Sequence, residues 1–404
     1  MQRLTVPQPA NSTRNGDSPS RGTNAGDPDT AICALLRHEI CAWDETSGPE
    51  AIQGFLRAAH HHGVVPLLDA EFRDRAELAG WPKVIQVECF TGALVHAAHE
   101  SAQRAEGARV IEALAAGGVQ PLVLKGGALA CTLYADPSLR PRCDTDLLVP
   151  MPARAQADRV LESLGYSKAE GVAGEFISYQ SSWSRTDDSG NVHYLDMHWR
   201  INNSQLFARM FDYEDLASRS VPVPGLGPSA RTLDTADALL LACVHRAGHA
   251  FQAAHDGDQA RHGGDRLIWL YDIHLLAGRM SDAQFEEFAR IAAARKIRAI
   301  CLDAFQRCHE FLGTVIPARL LEELGEPGAA EPSATLLTSS PGGRMLADFR
   351  ALESCRDRAR WLRELAFPDA AYMRWKYPDA PGTWLPILYL RRGLAAISRL
   401  FRAG

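Results

Sequence analysis

Two short apolar runs, set between long stretches of helical pattern, constrain the fold of this chain more than any other feature. Residues 120–124 (QPLVL) and 145–149 (TDLLV) are too short for stable helices and apolar enough for buried strands. The first runs into Lys125-Gly126-Gly127, where a glycine pair lets the backbone turn sharply, and a helix is expected near Ala128–Tyr134. The second is preceded by Asp144 and contains Asp146. Side chains alternate along a strand, so these two acids are expected on one face. A helix at Ala153–Leu164 follows, with Gly165 as its C-cap. Two further strands, Glu175–Ser184 and Val192–Arg200, flank Asp187-Asp188-Ser189-Gly190-Asn191, a strong hairpin signal.

On either side the apolar period is that of helices. Ile32, Leu35 and Leu36 begin it, Ile52, Phe55 and Leu56 continue it, and a long run extends from Val84 to Leu114. The His60–His62 run is expected to end a helix before Gly63. Beyond Thr232 the clearest helices fall at 234–249, 265–278, 282–294 and 296–312, and the Pro/Gly/Ser-rich stretch 326–343 reads as a loop. The expected fold class is therefore α+β. A small mixed-sheet core at 118–231 lies between helical regions at 30–117 and 232–404, after a polar, disordered tail at 1–29.

An apolar content of 46% in 404 residues is ample for a buried core, and a net charge of −6 removes the broad basic footprint that would favour a nucleic-acid partner. Nine cysteines form no C-x-x-C pair and sit mostly in apolar stretches, so buried free thiols in the cytoplasm are expected rather than disulfides or zinc. Neither a membrane span nor a signal peptide is expected. The segment 385–401 (LPILYLRRGLAAISRLF) reads as a terminal helix docking on the core, with contact to a membrane surface as the alternative.

A third acid completes the pattern. Asp196 lies in Tyr194-Leu195-Asp196-Met197-His198-Trp199, on the return strand of the hairpin. If that strand pairs beside the one bearing Asp146, three carboxylates converge, a set suited to two Mg²⁺ (or Mn²⁺) ions. Two such ions clamp the attacking and leaving oxygens of a displacement at phosphorus. Lys125 and Arg140 are placed to reach a phosphate oxygen, a solvated loop arginine being the equal alternative for Arg140, and Lys125 ends an apolar strand, where an unpaired ammonium would be costly. His198 shares the face of Asp196, for proton transfer, substrate contact or a structural hydrogen bond.

At these residues the chain resembles the DNA polymerase β-type nucleotidyltransferase superfamily, with its glycine turn, Asp-x-Asp and later acid. More narrowly, LKGGALACTLYADPSLRPRCDTDLLV, LDMHWRI, LLLACVHRAGH, RLIWLYDI and LAFPDAAYMRWKYP resemble a poorly characterised bacterial nucleotidyltransferase family. The resemblance implies Gly126 and Gly127 at the nucleotide-phosphate turn, and Asp144 and Asp146 as ligands of both metals. It implies Asp196 as ligand of one metal and as a helper in deprotonating the acceptor hydroxyl. It further implies transfer of a nucleoside monophosphate from an NTP, ATP foremost, to a small-molecule or protein hydroxyl, with release of pyrophosphate. Two features depart from the superfamily pattern: Ala128 stands where many members carry a small hydroxyl residue, and the interval from Gly127 to Asp144 is long.

Two other functions compete. A non-catalytic nucleotide-binding or scaffold protein on the same fold would be expected to lose at least one acid. A metal phosphohydrolase would centre on His245, His249 and His255-Asp256. His245 and His249 stand one helical turn apart, but Arg246-Ala247-Gly248 between them lacks the glutamate of H-E-x-x-H, so a structural or substrate-facing role is favoured for His245. Serine nucleophile elbows and Walker-type phosphate loops are not found.

Overall fold

The chain enters its sheet from a long helix. In the computed structural model, which describes residues 27–169, 176–253, 264–325, 331–339 and 341–402, helices Pro28–Leu36 (α1), Pro49–His62 (α2) and Val65–Asp74 (α3) come first. Each has a proline in its first turn, where the missing N–H costs nothing. Gly63, at φ +69°, ends α2 directly after His60–His62. Lys83–Ala116 (α4) follows, 34 residues and so about 51 Å long. Of the expected tail, residues 1–26 lie outside the described residues, and Pro28 and Asp29 already belong to α1.

Leu122–Leu124 (β1) leads straight into Lys125–Thr132 (α5), which starts three residues before the expected Ala128. Thr145–Leu148 (β2), Arg154–Ser163 (α6), Ser167–Lys168 (β3), Gln180–Thr186 (β4) and Val192–His198 (β5) come next. Residues 170–175, including the expected start of the hairpin, lie outside the described residues. Tyr213–Arg219 (α7), Val221–Pro222 (β6) and Arg231–Thr232 (β7) complete the module. The seven strands form one sheet in the order β3-β4-β5-β2-β1-β7-β6. Its β2–β5 and β1–β7 pairs are parallel and the others antiparallel, so the sheet is mixed, as an α+β fold of this kind requires.

Strand parity decides what each face carries. Val123, Leu147, Val149, Leu195 and Met197 point to one side and pack under Val110, Ile111 and Leu114 of α4 and Leu161 of α6. Leu122, Leu124 and Leu148 point to the other and join a larger core with Ile32 and Leu35 of α1 and Leu68 of α3. That core takes in the C-terminal helices Thr235–Ala253 (α8), Leu267–Gly278 (α9), Asp282–Ala294 (α10) and Arg298–Leu312 (α11), close to the four expected spans. The two helical regions thus share a core, and the second sheet face, which carries the even-numbered residues of β2 and β5, looks toward it.

The remaining helices are Ala318–Gly325 (α12), Pro332–Thr338 (α13), Pro341–Ala351 (α14), Cys355–Ala366 (α15), Ala370–Lys376 (α16) and Leu385–Arg402 (α17). The loop expected at 326–343 is corrected over its described part: Pro332 and Pro341 open helices instead of breaking them, since proline is suited to a first turn. Helix α17 docks by one side, burying Leu388 and donating from Tyr389 Oη to the Pro368 carbonyl, while Ile387, Leu390 and Leu394 stay exposed. Among the described residues no helix is long and apolar enough to cross a membrane. Six of the nine cysteines are buried and all are free thiols.

Candidate active site

The parallel pairing of β2 with β5 brings the acids together. Asp146 is the register partner of Asp196, and Leu148 that of His198, so Asp146, Asp196 and His198 share the face opposite the α4 core. One ligand atom from each of these three lies within 4.8 Å of the other two. Hydrogen bonds fix the set. His198 Nε2 is 2.8 Å from Asp146 Oδ1, Ser182 Oγ donates to Asp196 Oδ1 at 2.6 Å, and Gln180 Nε2 donates to Asp196 Oδ2 at 2.9 Å. The last two donors come from β4, the hairpin partner of β5. Asp144 stands immediately before β2, outside that tightest trio, and lines the same cleft of about 650 Å³.

Lys125 sits at the joint between β1 and α5 with φ +50°, in the left-handed region that a lysine enters only at a cost of about 1–2 kcal/mol. β1 is antiparallel to β2, with Leu124 opposite Asp146, and Lys125 Nζ lies 2.5 Å from Asp146 Oδ1. The turn into the helix is made by Lys125, not by the glycines. Gly126 and Gly127 occupy the first turn of α5, where they leave room for arginines. A Cβ on Gly126 would stand 3.1 Å from Arg140 Nη1 and 3.3 Å from Arg142 Cβ, and one on Gly127 3.6 Å from Arg142 Nη1. Ala128 is buried in the α4-side core, so no hydroxyl is missing from the cleft wall on its account.

The long interval between Gly127 and Asp144 accommodates those two arginines. Arg140 Nε and Nη2 bind Asp272 of α9 at 2.9 and 2.7 Å, and Tyr134 Oη donates to the same carboxylate at 2.7 Å. Arg140, expected at a phosphate, lines the cleft but is committed to this buried ion pair. Arg142 is the residue that sequence reasoning missed. Its Nε binds Glu100 of α4 at 2.8 Å, while Nη1 donates to the Asp144 carbonyl at 3.0 Å and to Thr145 Oγ1 at 2.7 Å. It therefore sets the backbone that presents Asp144, and nothing in the local pattern marks it, because its partner is 42 residues away.

The far wall is imidazole and indole. The rings of His245 and His249 of α8 lie 4.5 Å apart and inclined at 60°, and Trp269 of α9 lies 5.5 and 5.1 Å from them. Burial, then the charge of Lys125, lowers the His245 pKa well below its ordinary value, so this imidazole is neutral at pH 7. His255-Asp256 lies outside the described residues. Among the described residues the group of metal-ligating type is Asp146, Asp196 and His198, not one around His245.

The acids are not equivalent electrostatically. Burial would raise Asp146, but the His198 hydrogen bond and the charge of Lys125 hold it well below the usual carboxylate range. Burial, followed by the charges of Asp146 and Asp196, lifts Asp144 to about 6. An acid whose folded pKa exceeds its unfolded value of 3.8 destabilises the fold when ionised, an effect that grows from about pH 4 and is complete above about 6. Asp144→Asn should therefore stabilise the protein in chelator at pH 7.5 by about 2 kcal/mol, after a discount for partial exposure. Below pH 4 the gain should vanish. Thermal melts across that range check this, and a gain independent of pH would rule out the cost of ionising Asp144 as its source.

A family model described as uncharacterised nucleotidyltransferase matches residues 48–313, from the start of α2 to the end of α11. The match contains every cleft residue named above. No curated protein matches the chain. The chain belongs to this nucleotidyltransferase family, and so to the transferases.

Proposed function

We propose that this family member transfers a nucleoside monophosphate from an NTP, ATP foremost, to a hydroxyl of a small molecule or a protein, releasing pyrophosphate in the presence of Mg²⁺ or Mn²⁺. The observation that carries this reading is the pairing of opposite charges in one cleft: Asp144, Asp146 and Asp196 share its lining with Lys125, Arg140 and Arg266. A metal–nucleotide complex is itself a cation bound to a polyanion, and such a lining matches both parts.

Three carboxylates with an imidazole in reach fit divalent ions, because burial and then their mutual repulsion, which together raise the pKa of Asp144, favour a cation among them. Asp144, Asp146 and Asp196 would hold the ions, which when bound supply charge neutralisation at the attacking and leaving oxygens. Lys125, already facing Asp146, is placed to follow negative charge onto an adjacent phosphate oxygen. Asp196, oriented by Ser182 and Gln180, is the base nearest at hand for the acceptor hydroxyl. His198 holds Asp146 in place from the buried side. The His245–His249–Trp269 wall offers aromatic ring faces to a base or an acceptor.

Incubation with each labelled NTP and Mg²⁺, alone and with cell extract, tests this reading. Label passing to a metabolite or a protein supports it. Absence of metal-dependent NTP binding in calorimetry, together with no transfer, leaves the non-catalytic scaffold in its place.

A further inference from the structure

The cations around this cleft differ in one respect that bears on substrate binding. Lys125 is paired with Asp146, Arg140 with Asp272, and Arg142 with Glu100. Arg266, at the N-cap position of α9, forms no ion pair with any carboxylate among the described residues. Its side chain is nonetheless built into place. Nε donates to the His61 carbonyl at 2.8 Å, and the guanidinium lies 5.5 Å from the centre of the Trp269 ring. Nη2 occupies space that a side chain on residue 63 would fill, 2.7 Å from where the Cβ would be, and Gly63 leaves it open. A guanidinium withdrawn from water with no anion beside it is unfavourable, and Arg140 nearby adds repulsion, so that burial first and Arg140 second depress its pKa. Such a group, planar and bidentate, suits a phosphate oxygen pair that arrives with the substrate.

We infer that Arg266 binds the β- and γ-phosphates of the NTP and stabilises the departing pyrophosphate. The inference rests on the nucleotidyl-transfer reading above. In that reaction the acceptor oxygen bonds to the α-phosphorus while the bond from the α-phosphorus to the bridging oxygen breaks. The bridging oxygen leaves on pyrophosphate with the electron pair, and the acceptor proton passes to Asp196 or solvent. The α-phosphate belongs beside the acids. Arg266 has no carboxylate of that triad as a partner, so the part of the polyanion it meets is the part beyond the reacting phosphorus. Negative charge grows there as the bond breaks, and a preoriented donor pair stabilises it.

The test is calorimetry on the full chain with Mg²⁺, using tripolyphosphate, ATP and AMP as probes, for the wild type, Arg266→Gln and Arg266→Lys. Glutamine keeps a donor for the His61 carbonyl and removes the charge, and thermal melts report whether each variant is folded. Arg266→Gln should bind tripolyphosphate and ATP at least tenfold more weakly, with AMP affinity unchanged, and Arg266→Lys should recover part of the loss. Wild-type tripolyphosphate affinity in folded Arg266→Gln would overturn the assignment, as would an equal loss for AMP, which would place the residue at the α-phosphate or nucleoside. If the wild type binds none of the probes, the nucleotide reading itself falls, an outcome distinct from a failure of Arg266 alone.

Discussion

Asp146→Asn is expected to lower the rate of nucleotidyl transfer per folded molecule by about 10³-fold or more. Asp146 is the acid flanked on both sides, by Asp196 across the parallel pair and by the β1–α5 joint across the antiparallel one. It receives Lys125 and His198 on the same oxygen, and those partners keep it ionised to lower pH than Asp144. Asparagine keeps the shape and one oxygen but removes the charge that would hold a divalent ion between neighbours. Asp144→Asn and Asp196→Asn should also be severe, yet only Asp146→Asn also leaves the Lys125 ammonium facing a neutral group. The effect should fall on kcat, and Mn²⁺ binding followed by electron paramagnetic resonance should weaken in parallel. More than a tenth of wild-type activity in purified Asp146→Asn would remove Asp146 from the centre of the chemistry.

How much of this was visible in the chain follows from the range of each interaction. The two short strands and the hairpin are legible because their apolar spacing breaks a helical background, and the four helices from 235 to 312 because their period is unbroken. The face shared by Asp196 and His198 follows from parity within one strand. That Asp196 stands beside Asp146 depends on strand order, which local pattern does not encode. The long-range pairings are less legible still. Arg140 reads as a phosphate ligand by proximity to Asp144, but its partner lies 132 residues away on α9. Arg266 is the arginine that opens RLIWLYDI, and what distinguishes it, the lack of an ion-pair partner among the described residues and its seat beside Gly63 and Trp269, is set by the tertiary structure. Lys125, expected at a phosphate because an unpaired ammonium is costly there, has Asp146 as its partner, and its backbone makes the turn credited to the glycines.

The largest expected effect on stability lies in that Arg140–Asp272 pair. Both side chains are nearly excluded from water, at 7% and 5% exposure, and two nitrogens of the guanidinium meet two oxygens of the carboxylate. Asp272→Ala would leave the guanidinium without its anion and Tyr134 Oη without its acceptor, which should destabilise the fold by about 3–5 kcal/mol. Replacing both partners, Arg140→Met with Asp272→Leu, should recover most of that loss, because the destabilisation comes from the orphaned charge more than from the lost attraction. Urea unfolding of the single and double variants measures this, and a double variant as unstable as Asp272→Ala would refute it. Recovery of stability need not restore catalysis. The pair ties α9, which carries Trp269 and follows Arg266, to the segment that presents Asp144, and Arg140 also fills the space beside Gly126. A stable double variant with a lowered kcat/KM would mean that the ion pair is kept for the spacing of the two cleft walls rather than for the stability of the fold.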